Sequence, residues 1–252
     1  MLAIMVVSIV MIASILIRSN TEIKNFESIA EIVNNTAAVN NTDLPETDPV
    51  VSDSVDLSVD TEPEPTPIFK RNLEPIFEMN ADCIGWICIP NTTVDYPVMY
   101  TPNEHQKYLR KNFEGKYSVS GTPFIQENCD LDSDNVIIYG HNMKNGTMFS
   151  DITAYVDPSY REQHPVIEFE TSRGLIGYEV ISVMQVNKND PWYAFINATD
   201  EADYLSRVSA AMNASQYPIE SEITYGRRLL TLSTCYGKSN DDRLIVIAAE
   251  QN

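Results

Sequence analysis

The chain has 252 residues, 43% of them hydrophobic, and a formal net charge of −19. That length and hydrophobic fraction supply one sizeable domain with extras, and exclude a wholly disordered chain. The charge argues against nucleic acid as a partner, because phosphate binding needs a surplus of Lys and Arg.

Residues 1–17 carry no charge, no Gly and no Pro, and Arg18 follows. About 17 apolar residues is the lower limit for a helix that crosses a bilayer. A cleaved signal peptide is the competing reading. No small-x-small site precedes the polar region, so an uncleaved membrane anchor over 1–18 is expected. Residues 19–67 read as an acidic flexible tether. Between 20 and 67 a single base, Lys24, stands against eleven Asp and Glu. Residues 21–35 predict a short amphipathic helix. From 40 to 67 the composition is too polar to bury a core, and EPEPTP is stiff and extended.

A globular domain is expected over 68–252. Its first element is a helix over 68–79, where Ile68, Phe69, Leu73, Ile76 and Phe77 recur near helical spacing. Strands follow at 83–89, 94–100, 121–126, 135–140, 165–171, 174–187, 228–234 and 243–250. They are rich in Val, Ile, Tyr and Thr and are separated by turn residues. Eight strands in one domain predict a mainly β fold, a closed barrel or a sandwich. Helical interruptions are expected at 103–112, 147–156 and 201–215. The last lies in a connection of about 40 residues, a length that usually serves function. Ala202, Leu205, Val208, Ala211 and Met212 share one helical face. They predict packing on the β-domain, with the helix as a wall of the substrate groove.

The cysteines are Cys83, Cys88, Cys129 and Cys235, with no CxxC among them. Cys83 and Cys88 bracket a strand-like run and read as small buried hydrophobes. No His/Cys cluster has zinc spacing, and no metal or cofactor is expected. Two segments carry chemistry. In Val136 to Met148 an apolar strand runs into Gly140, His141 and Asn142. In Arg228 to Ile247 a strand runs into Cys235, seven polar-turn residues follow, and Arg243 opens the next strand. A thiol attacking an amide needs a proton partner, usually His. It also needs a group that stabilises the carbonyl oxygen, and Arg offers a fixed fork of donors. Strand ends hold such groups rigidly on one rim.

These segments resemble the sortases, class B in particular. Thr231 to Cys235 reads TLSTC, Arg243 opens RLIVIAA, and Tyr139 to Ile152 reads YGHNMKNGTMFSDI. Gly85 to Met99 is similar to the family's first two barrel strands. The 201–215 helix is similar to the class B insertion between strands six and seven. The resemblance covers roughly residues 68–250. It implies an eight-stranded sortase-type barrel with a few peripheral helices. It implies a cysteine transpeptidase with Cys235 as nucleophile, His141 as acid/base and Arg243 as substrate or oxyanion clamp. Asn142, Met143, Ser233 and Thr234 are the expected substrate contacts. The implied partners are a surface protein bearing a sorting signal and an amine acceptor, either a peptidoglycan precursor or a pilin Lys. The implied setting is a Gram-positive envelope, with a single-pass anchor and the catalytic domain outside the cell. A thiol hydrolase using the same residues, and a tethered β-domain that only binds envelope polymers, are the alternatives. Asp241 and Asp242 are expected to compete for Arg243. LPETD, Leu44 to Asp48, is similar to an LPxTG signal but has Asp in place of Gly, and reads as chance. DPW at 190–192 is similar to the lid motif of pilin-assembling sortases, but it lies in the late loop rather than before the barrel and reads as chance. The DLDSDN run, Asp130 to Asn135, reads as an exposed turn.

Overall fold

The computed structural model describes residues 20–35 and 67–251. The expected anchor over 1–18 and the LPETD stretch lie outside these residues. Among the described residues, no helix is long and apolar enough to cross a membrane.

Eight strands close into a barrel in the order β1-β2-β3-β4-β7-β8-β6-β5. They are β1 (Cys83–Cys88), β2 (Asp95–Met99), β3 (Phe124–Ile125), β4 (Asn135–Tyr139), β5 (Val166–Thr171), β6 (Gly174–Asn187), β7 (Leu229–Cys235) and β8 (Asp242–Glu250). β2–β3 and β4–β7 are parallel pairs, and the other neighbours are antiparallel. The closed mainly β architecture is the barrel the sequence predicts. β3 is far shorter than 121–126. Gly121 adopts φ +63, Pro123 has no N–H, and Thr122 is bonded through its N–H to Tyr108 O and through its hydroxyl to Lys111 O. Those groups are committed elsewhere and cannot extend a ladder.

β7 and β8 are buried on both faces for a physical reason. Leu230, Leu232, Leu244, Val246 and Ala248 belong to the main core, with Trp86, Ile137 and Val183. The alternate residues Leu229, Ile245, Ile247 and Ala249 join a second cluster under a helix. That helix, which we number α4 after three earlier ones, spans Glu201–Asn213 and is capped by Asp200, whose side chain accepts from Asp203 N. Its buried face is Tyr204, Val208 and Ala211, with Leu205 and Met212 partly covered. Ala202 is exposed. Tyr204 takes the anchoring role expected of Ala202, because its ring fills the cluster while its hydroxyl donates to Arg227 O.

The remaining helices are α1 over 20–35, α2 (Glu74–Met79) and α3 (Pro158–Gln163). The helix expected over 68–79 is confined to α2. Pro75 sets its first turn. Upstream, the backbone is tied to the sheet instead of to itself: Leu175 N donates to Ile68 O, and Lys70 N and Arg71 N donate to the buried Glu170 carboxylate. The expected helices at 103–112 and 147–156 are short 3-10 turns, Lys107–Arg110 and Asp151–Val156. α1 buries Phe26, Ile29 and Val33 in the main core. Asn72 N donates to Val33 O at 3.1 Å. The expected boundary at 68 therefore separates α1 from a domain whose core it shares.

Candidate active site

The parallel β4–β7 pair sets Tyr139 opposite Ser233. Beyond it the pairing continues: Gly140 N donates to Ser233 O at 3.1 Å, and the Thr234 hydroxyl donates to Gly140 O at 2.7 Å. Any Cβ on residue 140 would sit 2.5 Å from the Phe149 ring, so only glycine fits there. This brings His141 beside the end of β7. On the other side of β7, Cys235 is the register partner of Arg243 on β8. The three side chains line one cleft of about 280 Å³. Cys235 is exposed, and His141 and Arg243 are half-buried.

His141 Nε2 lies 2.9 Å from Leu109 O. A carbonyl only accepts, so Nε2 carries the proton, and Nδ1 is the nitrogen free to exchange one. Burial pushes the His141 pKa below the ordinary histidine value. The Leu109 bond opposes this, and the positive charges of Arg110 and Arg243 push it lower still. NMR titration of the ring should give a midpoint below that of a free histidine, and Arg110→Gln should raise it. A midpoint that stays put in the variant would remove Arg110 from the electrostatics of the site.

Asp241 and Asp242 do not take Arg243. Asp241 pairs with Lys188 at 2.7 Å, and Asp242 Oδ2 accepts from Ser239 N at 3.0 Å. Arg243 Nη1 donates instead to two turn carbonyls, Asn240 O at 2.8 Å and Asp242 O at 2.9 Å. Lys188 and the turn backbone thus engage the two carboxylates, and among the described residues no carboxylate forms an ion pair with the guanidinium.

Ser233 and Thr234 are buried and line the cleft. Asn142 and Met143 are not among its lining residues. Asn142 is exposed, and its Nδ2 donates to Cys235 O at 3.1 Å, tying the histidine loop to the cysteine strand. Met143 packs on the main core. No residue of α4 lines the cleft, so the expected groove wall is made otherwise. Lys188, Asn189 and Tyr193, from the same long connection, line it instead. Tyr193 shares a 2.8 Å hydrogen bond with the Ser233 hydroxyl and stacks on Tyr139 at 5.9 Å. The DPW stretch positions it: Asp190 caps the turn by accepting from Trp192 N, and Trp192 Nε1 donates to the buried Thr231 hydroxyl. The tripeptide is thus the clip that holds the cleft's Tyr193. In the DLDSDN turn, Asp132 is exposed and paired with Arg173.

The sortase domain model matches residues 87–251. The chain belongs to the sortase family. It is 33% identical over 172 residues to sortase B of Listeria monocytogenes, covering 66% of this chain and 68% of the relative. It is 28% identical over 183 residues to sortase B of Staphylococcus aureus, covering 71% and 74%. Among solved structures, a Staphylococcus aureus sortase B–substrate complex superposes with a TM-score of 0.77 at 22% identity, covering 94% of this chain and 99% of that one. At that identity the likeness concerns the fold. Clostridium perfringens sortase B superposes with a TM-score of 0.67 at 26% identity, covering 72% and 100%. The chain is a class B sortase, a cysteine transpeptidase that anchors surface proteins.

Proposed function

We propose that Cys235, His141 and Arg243 carry out this transpeptidation on a peptide sorting signal, in a catalytic domain held outside a Gram-positive cell by residues 1–18. The observation that carries the assignment of roles is the strand register. It converges a thiol, an imidazole and a guanidinium on one cleft from three different strand ends.

Cys235 Sγ, as thiolate, attacks the carbonyl carbon of the residue before the scissile bond. Arg243 donates to the oxyanion that forms. The C–N bond breaks as protonated His141 gives its Nδ1 proton to the leaving amine, which yields a thioester. An amine acceptor, from a peptidoglycan precursor or a pilin Lys, then attacks the thioester. His141 takes back a proton, and Cys235 leaves as thiolate. The Nε2 bond to Leu109 O supports this use of Nδ1. The apolar run of residues 1–17 supports the anchoring.

Incubation of the enzyme with a library of sorting peptides, with and without an amine, tests this reading. Mass spectrometry should find a thioester on Cys235, and a new amide only when the amine is present. Cleavage that gives free acid at the same rate with and without amine would refute acyl transfer at this site.

A further inference from the structure

The catalytic histidine is held by a carbonyl from outside its own strand, and that carbonyl is itself held from outside. Leu109 belongs to the 3-10 turn Lys107–Arg110. Packed on this turn is the segment 118–122. Ser118 N donates to Arg110 O, Thr122 N to Tyr108 O, and Arg110 Nη1 to Val119 O. The fit is close. At Gly121, with φ +63, a Cβ would stand 2.7 Å from both Tyr108 O and Leu109 O. The Ser118 hydroxyl accepts from Ser120 N and Gly121 N at 3.1 Å, which folds the segment into a tight turn.

The outer side of that turn is held by α1. Glu22 Oε2 accepts from the Ser120 hydroxyl at 2.5 Å, and Glu22 Oε1 accepts from Val119 N at 3.2 Å. Ser120 also lines the catalytic cleft. A second path runs from the same helix. The Phe26 ring meets Tyr96 edge-on at 5.4 Å, and the Tyr96 hydroxyl accepts from Met148 N at 3.1 Å. Met148 is bridged to Asn142, the neighbour of His141. Both paths start on α1; the first ends at the carbonyl that holds the His141 ring, the second at the neighbour of His141 in the chain.

We infer that Glu22 is a positioning residue of the transpeptidase: through Ser120 and Gly121 it fixes the Leu109 carbonyl, and so the orientation of the His141 ring. The inference rests on the proposed role of His141. It makes α1 part of the catalytic apparatus, although nearly 120 residues separate Glu22 from His141 in the chain. α1 is suited to the task because three buried apolar side chains, Phe26, Ile29 and Val33, seat it on the barrel.

The test uses the full chain in detergent, with Glu22→Ala, Glu22→Gln and His141→Ala. The readouts are kcat and KM for a cleaved sorting peptide, thermal midpoint, and the NMR signal of the His141 Nε2 proton. Glu22→Ala should lower kcat about tenfold with KM within about twofold, the pattern of a lost transition-state alignment. Its Nε2 proton should exchange faster with water, because its acceptor is no longer fixed. Glu22→Gln keeps an oxygen for the Ser120 hydroxyl and should recover most of the kcat and the protected proton. Wild-type kcat in Glu22→Ala would overturn the inference. So would a fall in kcat with the Nε2 signal unchanged. His141→Ala separates the two readings. If it remains active, the role of His141 fails, while the Nε2 signal in Glu22→Ala still decides whether α1 orients the ring.

Discussion

Alkylation of the folded chain at neutral pH should label Cys235 and spare the other three thiols, and Cys235→Ala should abolish turnover without unfolding the barrel. Burial raises the thiol pKa of Cys83 to about 12 and of Cys88 and Cys129 to about 11. At neutral pH fewer than about one in a thousand of these groups is the reactive thiolate, and they are shielded as well. Cys235 is the exposed cysteine of the four. It ends β7 just where the buried run Leu229–Thr234 reaches the rim. Alanine there leaves the core residues of β7 untouched, so the thermal transition should survive. Loss of the nucleophile should cost on the order of 10⁴–10⁶-fold in kcat. Labelling of Cys83, Cys88 or Cys129 in the folded state, or residual turnover in Cys235→Ala above background, would remove Cys235 from the chemistry. A polymer-binding β-domain would have no use for an exposed thiol on a cleft rim, and would give no such loss.

The barrel was legible because its strongest signals are local. The apolar runs of β7 and β8 are covered on both faces, by the main core and by α4, so hydrophobicity alone marks them. The proposed trio of Cys235, His141 and Arg243 could be singled out because each residue sits at or just beyond a strand end, beside a run whose burial the sequence advertises. What the sequence hid is long-range. Leu109 acts through its carbonyl, which no side-chain pattern records. Tyr193 enters the cleft because Trp192 reaches a threonine 39 positions away. α1 is the amphipathic helix expected over 21–35, but the sequence does not say that its apolar face, Phe26, Ile29 and Val33 with Ala30 and Ile32 partly covered, docks on the barrel. A hydrophobic stripe at 26, 29 and 33 was the available sign. Asp241 and Asp242 misled for the opposite reason. Adjacency in sequence suggested capture of Arg243, but Lys188 and the backbone of the turn had already engaged both carboxylates.

Arg243→Lys should lose about 10²–10³-fold in kcat although its charge is kept, the loss expected for one oxyanion donor. The resting geometry explains why. Arg243 Nη1 gives its protons to Asn240 O and Asp242 O, which fixes the plane of the guanidinium against the β7–β8 turn. Nε and Nη2 remain as donors in a rigid fork on the strand position paired with Cys235. One end of the group is thus braced by backbone while the other is available to an oxyanion. A lysine ammonium has a single nitrogen. It can satisfy the turn or reach the substrate, and it has no second arm to do both. The substitution also isolates geometry from electrostatics. The Arg243 charge helps lower the His141 pKa, and lysine retains that charge, so the His141 titration should move little in Arg243→Lys and rise in Arg243→Gln. An interaction made only in the transition state lowers kcat and kcat/KM together. Guanidinium ion added to Arg243→Ala should restore part of the rate, since it resupplies the planar donors. Wild-type kcat in Arg243→Lys would show that charge alone suffices at this position and would end the case for a directional donor.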